Sequence, residues 1–508
     1  MLECAAAPWL LAISTAADGR SISLLWSIPF VALLLTIALA PLINRHWWEK
    51  WYPAVAVALG LVPSCYYWLA APSAAAWLKS MEEYVSFIIL LAALFVVSGG
   101  ILIHVSRKAT PAANTAVLLT GAIIANIFGT TGASMLLIRP YLRMNRGHIR
   151  AYHVVFFIFI VSNCGGALTP IGDPPLYLGY LNGVPFWWVL KHCYQPWLLA
   201  VGLLLTLFFL LDTMHHRRAA RHEPTGVGRA VTIRGAHNLL FICAVLLAVF
   251  QPGLFETLHA LRAHGLSAAR LWHAAISREV LMTAAAAAAW LLTPREIYRT
   301  NEFTWAPIRE VAVLFVGIFA AMTPALQWLD ANARRLPLTT PGRYYFATGT
   351  LSAFLDNAPT YLTFLESELA SLDRAKIEQA KAALKLMSER RTLDVGEQLD
   401  PEVRAAIAAL THYHPDHVRD GTLTDHQVQL AFLLDDPRRS LYLVAISLGA
   451  VFFGACTYIG NGPNFMVKSI ADSAGVAMPT FLGYLAKYTL PILVPICLLV
   501  WRVFLYSG

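Results

Sequence analysis

Charge is what this sequence has least of. Asp, Glu, Lys and Arg make up 13% of its 508 residues, against roughly a quarter in soluble domains. With 57% hydrophobic residues, that scarcity excludes a solvated globular chain. Acidic residues are the scarcer sign, 30 against 38 basic, but the excess does not point to nucleic acid. The basic residues gather between apolar segments, as in Arg107-Lys108, Arg143/Arg146/Arg150 and Arg217-Arg218/Arg221. That is the footprint of cytoplasmic loops. Cysteine is sparse too: seven residues without a CxxC pair argue against a zinc site or a disulfide scaffold. There is no GxxxxGK[ST] and no HExxH, so the sequence offers no sign of ATP drive and little support for a membrane-embedded enzyme. Residues Ala5–Thr15 are weakly apolar but lack a basic leader. They read as an uncleaved tail, with a cleaved signal peptide as the alternative.

What the chain does have is apolar runs of about 20 residues, the length that crosses a bilayer core. After a tail at 1–21, spans are expected near 22–43, 52–71 and 84–103. The apolar stretch 111–142 is long for one helix, has Asn126-Ile-Phe-Gly129-Thr130-Thr131-Gly132 at its centre and is flanked by basic residues on both sides. It reads as a re-entrant hairpin, whose non-helical tip is tolerated at that depth only under cover of protein or a water cavity. Segment 153–182 holds three prolines and three glycines between Gly165 and Pro175, which no continuous helix accommodates, so it reads as a broken helix. A span at 194–211 completes the first repeat, 22–211, and a basic linker at 212–236 follows it. The second repeat follows the same plan: spans near 237–255, 278–293 and 310–329, a hairpin at 343–365, a broken helix at 440–470 and a last span at 484–506. It is interrupted by a polar insert at 366–438, which reads as soluble and mostly helical.

The repeat is visible in the letters. Gly166-Ala-Leu-Thr-Pro-Ile-Gly-Asp-Pro-Pro175 aligns without gaps on Gly454-Ala-Cys-Thr-Tyr-Ile-Gly-Asn-Gly-Pro463, identical at six of ten positions. Thr131-Gly-Ala-Ser134 aligns more weakly on Asn357-Ala-Pro-Thr360. Five crossings per half is an odd number, so the halves should have inverted topology. Inverted repeats with broken helices mark secondary transporters, with the site at the repeat interface. The fold expected is all-α and polytopic, with two inverted repeats and two hairpins. Placing 143–150 and 215–234 inside puts 183–192 and the insert outside, although Arg334-Arg335 on an outer connector runs against this.

Two ionisable residues fall at the breaks, Asp173 in the first broken helix and Asp356 at the second hairpin tip. Carboxylates inside a membrane are costly and are functional candidates by default. The plain alternative is that each caps a half-helix, and Asp173 before Pro174-Pro175 suits a cap. Around them stand Thr130, Thr131, Ser134, Ser162, Asn163, Thr169, Asn357, Thr360, Thr457, Asn461 and Asn464. These are oxygen donors suited to sodium or another hard cation. Half-helix N-termini at the same breaks could instead hold an organic anion. Gly165, Gly166, Pro170, Gly172, Pro174, Pro359, Gly460, Gly462 and Pro463 break the backbone there, while small residues also simply let helices approach. No cofactor is expected beyond sodium or protons as coupling ions. Outside the breaks the readings are blander. Glu310, Lys468 and Lys487 read as boundary residues, Trp187-Trp188 as an interfacial belt, and the cluster His412-Tyr-His414-Pro-Asp416-His417 as a solvated loop rather than a metal site.

At these motifs the sequence resembles the ion transporter superfamily, which includes citrate and dicarboxylate carriers, arsenite permeases and one class of sodium/proton antiporters. The matching segments are Ser162–Pro175, Ser352–Thr360 and Gly454–Asn464, and bacterial citrate-transporter-like and antiporter-like proteins are the nearest in pattern. The resemblance implies about eleven spans with two opposed hairpins, usually a homodimer in the bacterial inner membrane, and an elevator-like motion. Dicarboxylate carriers have Ser-Asn-Thr at both hairpin tips. This chain has Gly-Thr-Thr-Gly and Asp-Asn-Ala-Pro-Thr. The carboxylate at the second tip favours sodium/proton antiport, with cation- or proton-coupled citrate uptake as the alternative.

Overall fold

A computed structural model describes residues 23–69, 71, 73–105, 109–219, 231–249, 277–301, 303–332, 338–355, 357–388, 399–421 and 423–506. Asp356 and the tail at 1–22 lie outside the described residues, as do Arg334-Arg335. The chain is an all-α polytopic membrane protein. Its helices in the first half are α1 (Ile28–Ile43), α2 (Arg45–Leu69), α3 (Ala75–Gly99), α4 (Pro111–Met144), α5 (Ala151–Ile160), α6 (Pro174–Leu181) and α7 (Phe186–Ala219). Then follow α8 (Asn238–Ala248), α9 (Arg278–Leu292), α10 (Arg295–Thr300), α11 (Ala306–Asn332), α12 (Pro341–Ser352) and α13 (Asn357–Leu369). The insert holds α14 (Arg374–Ser388), α15 (Pro401–Tyr413), α16 (Pro415–Asp420) and α17 (Asp425–Leu434). The chain ends in α18 (Ser440–Gly454), α19 (Gly462–Ser473) and a final span, α20 (Phe481–Leu505). Six of these, α2, α3, α4, α7, α11 and α20, carry apolar windows long enough to cross a membrane.

Length alone misreads α4. Gly129 sits at φ +74° within it, a conformation that glycine adopts readily and other residues rarely do. Asn114 and Asn145 exchange two side-chain hydrogen bonds of 2.9 Å. In a straight helix they would be about 46 Å apart. The segment therefore doubles back at Gly129, and its arms close beside each other. The second hairpin is built from α12 and α13. The Tyr344 hydroxyl lies 3.5 Å from Ser367 Oγ, and the Tyr344 and Phe364 rings are 6.3 Å apart. Its second arm runs to Leu369, past the expected start of the insert at 366. The insert's own helices begin at Arg374.

The two broken helices occupy the centre. Val154–Ile160 on α5 and Leu443, Ala445, Ile446 and Leu448 on α18 are fully buried, as an all-round apolar helix must be. Exposed Leu69, Leu198, Leu240 and Leu291 on the outer helices give the apolar exterior that lipid requires. A frame of α1, α2, α3, α9 and α11 stands to one side. It is closed by Tyr67 Oη donating to Gln327 Oε1 (2.6 Å), Ser80 Oγ to the Phe319 carbonyl (2.9 Å) and Tyr84 Oη to the Ala312 carbonyl (2.9 Å). The hairpins and broken helices meet that frame through Phe465 on Phe315 (6.3 Å between rings), Ser469 Oγ on Glu310 (2.7 Å) and the Arg139 guanidinium over Phe95 (4.5 Å).

Basic connectors gather at one end. Arg143 bonds Asn301 Oδ1 and the Ile103 carbonyl, and Arg234 pairs with Glu296. Strand β1 (Leu102–Val105) pairs antiparallel with β2 (Val231–Arg234). The stretch read as a linker at 212–236 is therefore partly helix and partly strand: α7 continues through Asp212, which accepts from Tyr152 (2.7 Å) and Asn114 (2.8 Å). The insert sits at the opposite end. It docks on the α6–α7 turn, where Trp188 Nε1 donates to the Leu434 carbonyl at 2.9 Å and His414 Nε2 lies 3.1 Å from the Gly183 carbonyl. Trp188 is consequently buried and is not a membrane-belt residue, whereas Trp187 is exposed. His414 is a docking contact rather than part of a solvated loop.

Burial holds the His414 imidazole below its ordinary value; the bond to the Gly183 carbonyl opposes this and neighbouring His417 adds to it. A group depressed in this way stabilises the docked state above its unfolded pKa, about 6.5. That contribution disappears as pH falls through the depressed value. Amide exchange at residues 182–188 and 410–417, normalised to intrinsic rates, is expected to accelerate between about pH 7 and about pH 5. Unchanged protection would show that protonation of His414 does not weaken the docking of the insert.

Candidate functional site

Both broken helices snap at the same construction. In the first, a Cβ on Gly172 would lie 2.0 Å from the Gly166 carbonyl oxygen. In the second, a Cβ on Gly460 would lie 2.6 Å from the Gly454 carbonyl oxygen. The aligned glycines thus let the backbone close on itself in each half. The aligned threonines lock the loops. Thr169 Oγ1 donates to the Asn126 carbonyl (2.6 Å) and accepts from Gly172 N (3.1 Å). Thr457 Oγ1 donates to the Ala353 carbonyl (2.5 Å) and accepts from Gly460 N (3.1 Å). Thr169 and Thr457 tie each break to the hairpin beside it.

Carbonyls freed by the breaks find donors, as buried backbone must. Asn126 Nδ2 (2.6 Å) and Trp197 Nε1 (3.0 Å) donate to the Gly165 carbonyl. Tyr484 Oη and Thr489 Oγ1 donate to the carbonyls of Ala455 and Cys456, both at 2.8 Å. Asn126 and Trp197 were not legible as supporting residues. An amide one turn before the Gly129 break was the signal for the first, and the second had none.

The next residue in each half, Asp173 and Asn461, has extended backbone (φ −145°, ψ 144° and φ −154°, ψ 141°) and precedes a helix with proline in its first turn. Both occupy the cap position, yet neither side chain caps its helix. The side chains turn towards each other instead, with Asn461 Nδ2 3.2 Å from Asp173 Oδ1. Asp173 is buried. Its Oδ1 also accepts from Thr130 Oγ1 at 2.6 Å, and its Oδ2 from Asn357 Nδ2 at 2.5 Å. These donors come from the two hairpin tips and the opposite broken helix, so four elements converge on one carboxylate. Three donors offset the desolvation of a buried charge.

An amide chain extends the cluster. Asn461 Nδ2 also lies 3.2 Å from Asn163 Oδ1 and from the Ser162 carbonyl. Asn163 Nδ2 donates to Asn464 Oδ1 (2.7 Å), whose Nδ2 donates to the carbonyls of Gly454 and Thr457. Ser134 and Ser162 pair at 2.8 Å beside it. Thr360 is buried one turn along α13 from Asn357.

The hairpin tips correspond differently from the sequence alignment. Asn126 and Ala353 both accept from the repeat-equivalent threonines, and Thr130 and Asn357 both donate to Asp173. The structural partner of Asn357 is therefore Thr130, not Thr131, which is only half-buried.

No curated protein matches the chain at a significant level. A family model, however, matches residues 19–505, nearly the whole chain. With two opposed hairpins and two broken helices meeting at one buried carboxylate, this multi-pass membrane protein is a transporter, and the chain belongs to the family described as "Putative citrate transport".

Proposed function

We propose that this transporter exchanges sodium for protons, with Asp173 holding each in turn. The supporting observation is the setting of Asp173: a buried carboxylate where four elements meet, bonded to the neutral Thr130, Asn357 and Asn461. A carboxylate for which two cations compete couples their movements without a further device. The surrounding amides donate to Asp173 with the site as it stands, and each can turn to present its carbonyl oxygen to a sodium ion. Asp356, next to Asn357 in the chain, enters the proposal from sequence as a second titrating group. The hairpins and broken helices would move together against the frame of α1, α2, α3, α9 and α11, as an elevator. A homodimer in a bacterial inner membrane follows from the superfamily resemblance.

The family description favours a second reading, cation- or proton-coupled uptake of citrate or a related organic anion. The N-termini of α6 and α19 both face the site, and helix N-termini attract carboxylates. Asp173 at the same place opposes a polyanion. Purified protein in liposomes separates the two. Antiport is expected to move protons out of acid-loaded vesicles when sodium is added outside, without citrate. Sodium-driven uptake of labelled citrate with no such proton movement would overturn it.

A further inference from the structure

We infer that Asn461 is the residue that decides on which repeat the cluster's broken-helix charge resides, and that the amide there keeps a second carboxylate from facing Asp173 across the broken-helix pair. The inference rests on the assignment of Asp173 as the cation site. Positions 173 and 461 are equivalent in backbone conformation and in their place in the repeat. They follow the aligned glycines 172 and 460, and share an extended backbone and a following proline-bearing helix. Each stands just after a loop locked by an aligned threonine at 169 or 457. Their side chains touch across the repeat interface at 3.2 Å. The pair therefore sits where the two halves are related by pseudo-symmetry, and each side chain sees its counterpart.

Chemistry distinguishes them. A carboxylate at 173 only accepts, while an amide at 461 donates, so the pair is complementary as Asp–Asn. As Asp–Asp, two carboxylates at that separation could not both ionise, and the pair would retain a proton. The Asn461 Nδ2 contacts to Asn163 Oδ1 and the Ser162 carbonyl, both 3.2 Å, would be lost at the same time. The amide at 461 thus has a specificity role: it keeps the Asp173 carboxylate open to exchange between sodium and a proton, where a carboxylate would share one.

Three variants reconstituted in liposomes test this, with folding checked by size-exclusion chromatography and sodium-dependent proton movement read across a pH series. D173N alone is expected to lose coupled transport; if it transports as wild type, Asp173 is not the site and the underlying functional reading fails. N461D is expected to shift the transport pH profile upward by about one unit or more. The swapped variant D173N/N461D restores one carboxylate and one amide at the pair, and is expected to transport at least about tenfold faster than D173N. A folded swap no more active than D173N, together with an N461D profile that does not move, would overturn the inference while leaving Asp173 in place. If the swap does not fold, the N461D profile decides alone.

Discussion

Asp173→Asn is expected to weaken sodium binding by at least about 30-fold while leaving the protein folded. Removing one partner from a buried, hydrogen-bonded charge cluster costs about 2–5 kcal/mol, and each 1.4 kcal/mol is about a tenfold change in affinity. Asparagine is nearly the same size, and its remaining oxygen still accepts from Thr130 or Asn357, so the loss falls on the ion rather than on the fold. Isothermal titration or radiolabelled sodium binding in detergent checks it. Ser134→Ala is the natural comparison, because Ser134 pairs with Ser162 and not with Asp173; its effect should be a few-fold at most. Equal losses in the two variants would mean that the carboxylate has no special part in binding.

Gly172→Ala should be more damaging than its single methyl suggests. The added Cβ would meet Gly166 backbone atoms, with the carbonyl oxygen at 2.0 Å and the carbonyl carbon at 2.8 Å. Backbone cannot swing aside as a side chain can, so the loop must open, at about 3 kcal/mol or more. Opening it releases the Gly172 carbonyl from Thr130 N (2.7 Å) and so disturbs the first hairpin tip. The expected result is a sharp fall in thermal stability and in folded yield. Gly460→Ala, whose Cβ would lie 2.6 Å from the Gly454 carbonyl oxygen, should follow the same course less severely. Gly202 on α7 has no atom within 4 Å of an added Cβ, and its replacement by alanine should be neutral or stabilise by up to about 1 kcal/mol through helix propensity. Nanoscale fluorimetry of the three variants side by side reads the ranking, and an undisturbed Gly172→Ala would show that the break tolerates a looser closure.

Much of the architecture was legible because bilayers impose strong rules. Apolar runs of membrane length, breaks dense in glycine and proline, and a repeated ten-residue motif are one-dimensional signals, and the helices stand close to where those signals lie. Helix ends were less legible: α2, α3, α7 and α11 run several residues past their apolar cores, because a helix continues in water after the hydrophobic stretch ends. The docking of the insert had no signal in the letters. The bonds of Trp188 and His414 go to carbonyls of Leu434 and Gly183, and any residue supplies a carbonyl.

The amino-acid sequence by itself determined that this is a polytopic membrane protein with two related halves, each interrupted at a small-residue break carrying Asp173 or its equivalent Asn461. These are properties of composition and spacing, which the linear chain carries by itself. Only the tertiary structure decided which groups those residues bond. It turned the two cap-position side chains away from their helices and onto each other, matched Thr130 rather than Thr131 to Asn357, and set Thr169 and Thr457 to hold the loops. The physical reason is that each of these choices rests on which donor reaches which acceptor across hundreds of residues, and hydrogen-bond geometry over such separations is fixed by packing, not by the local pattern of the chain.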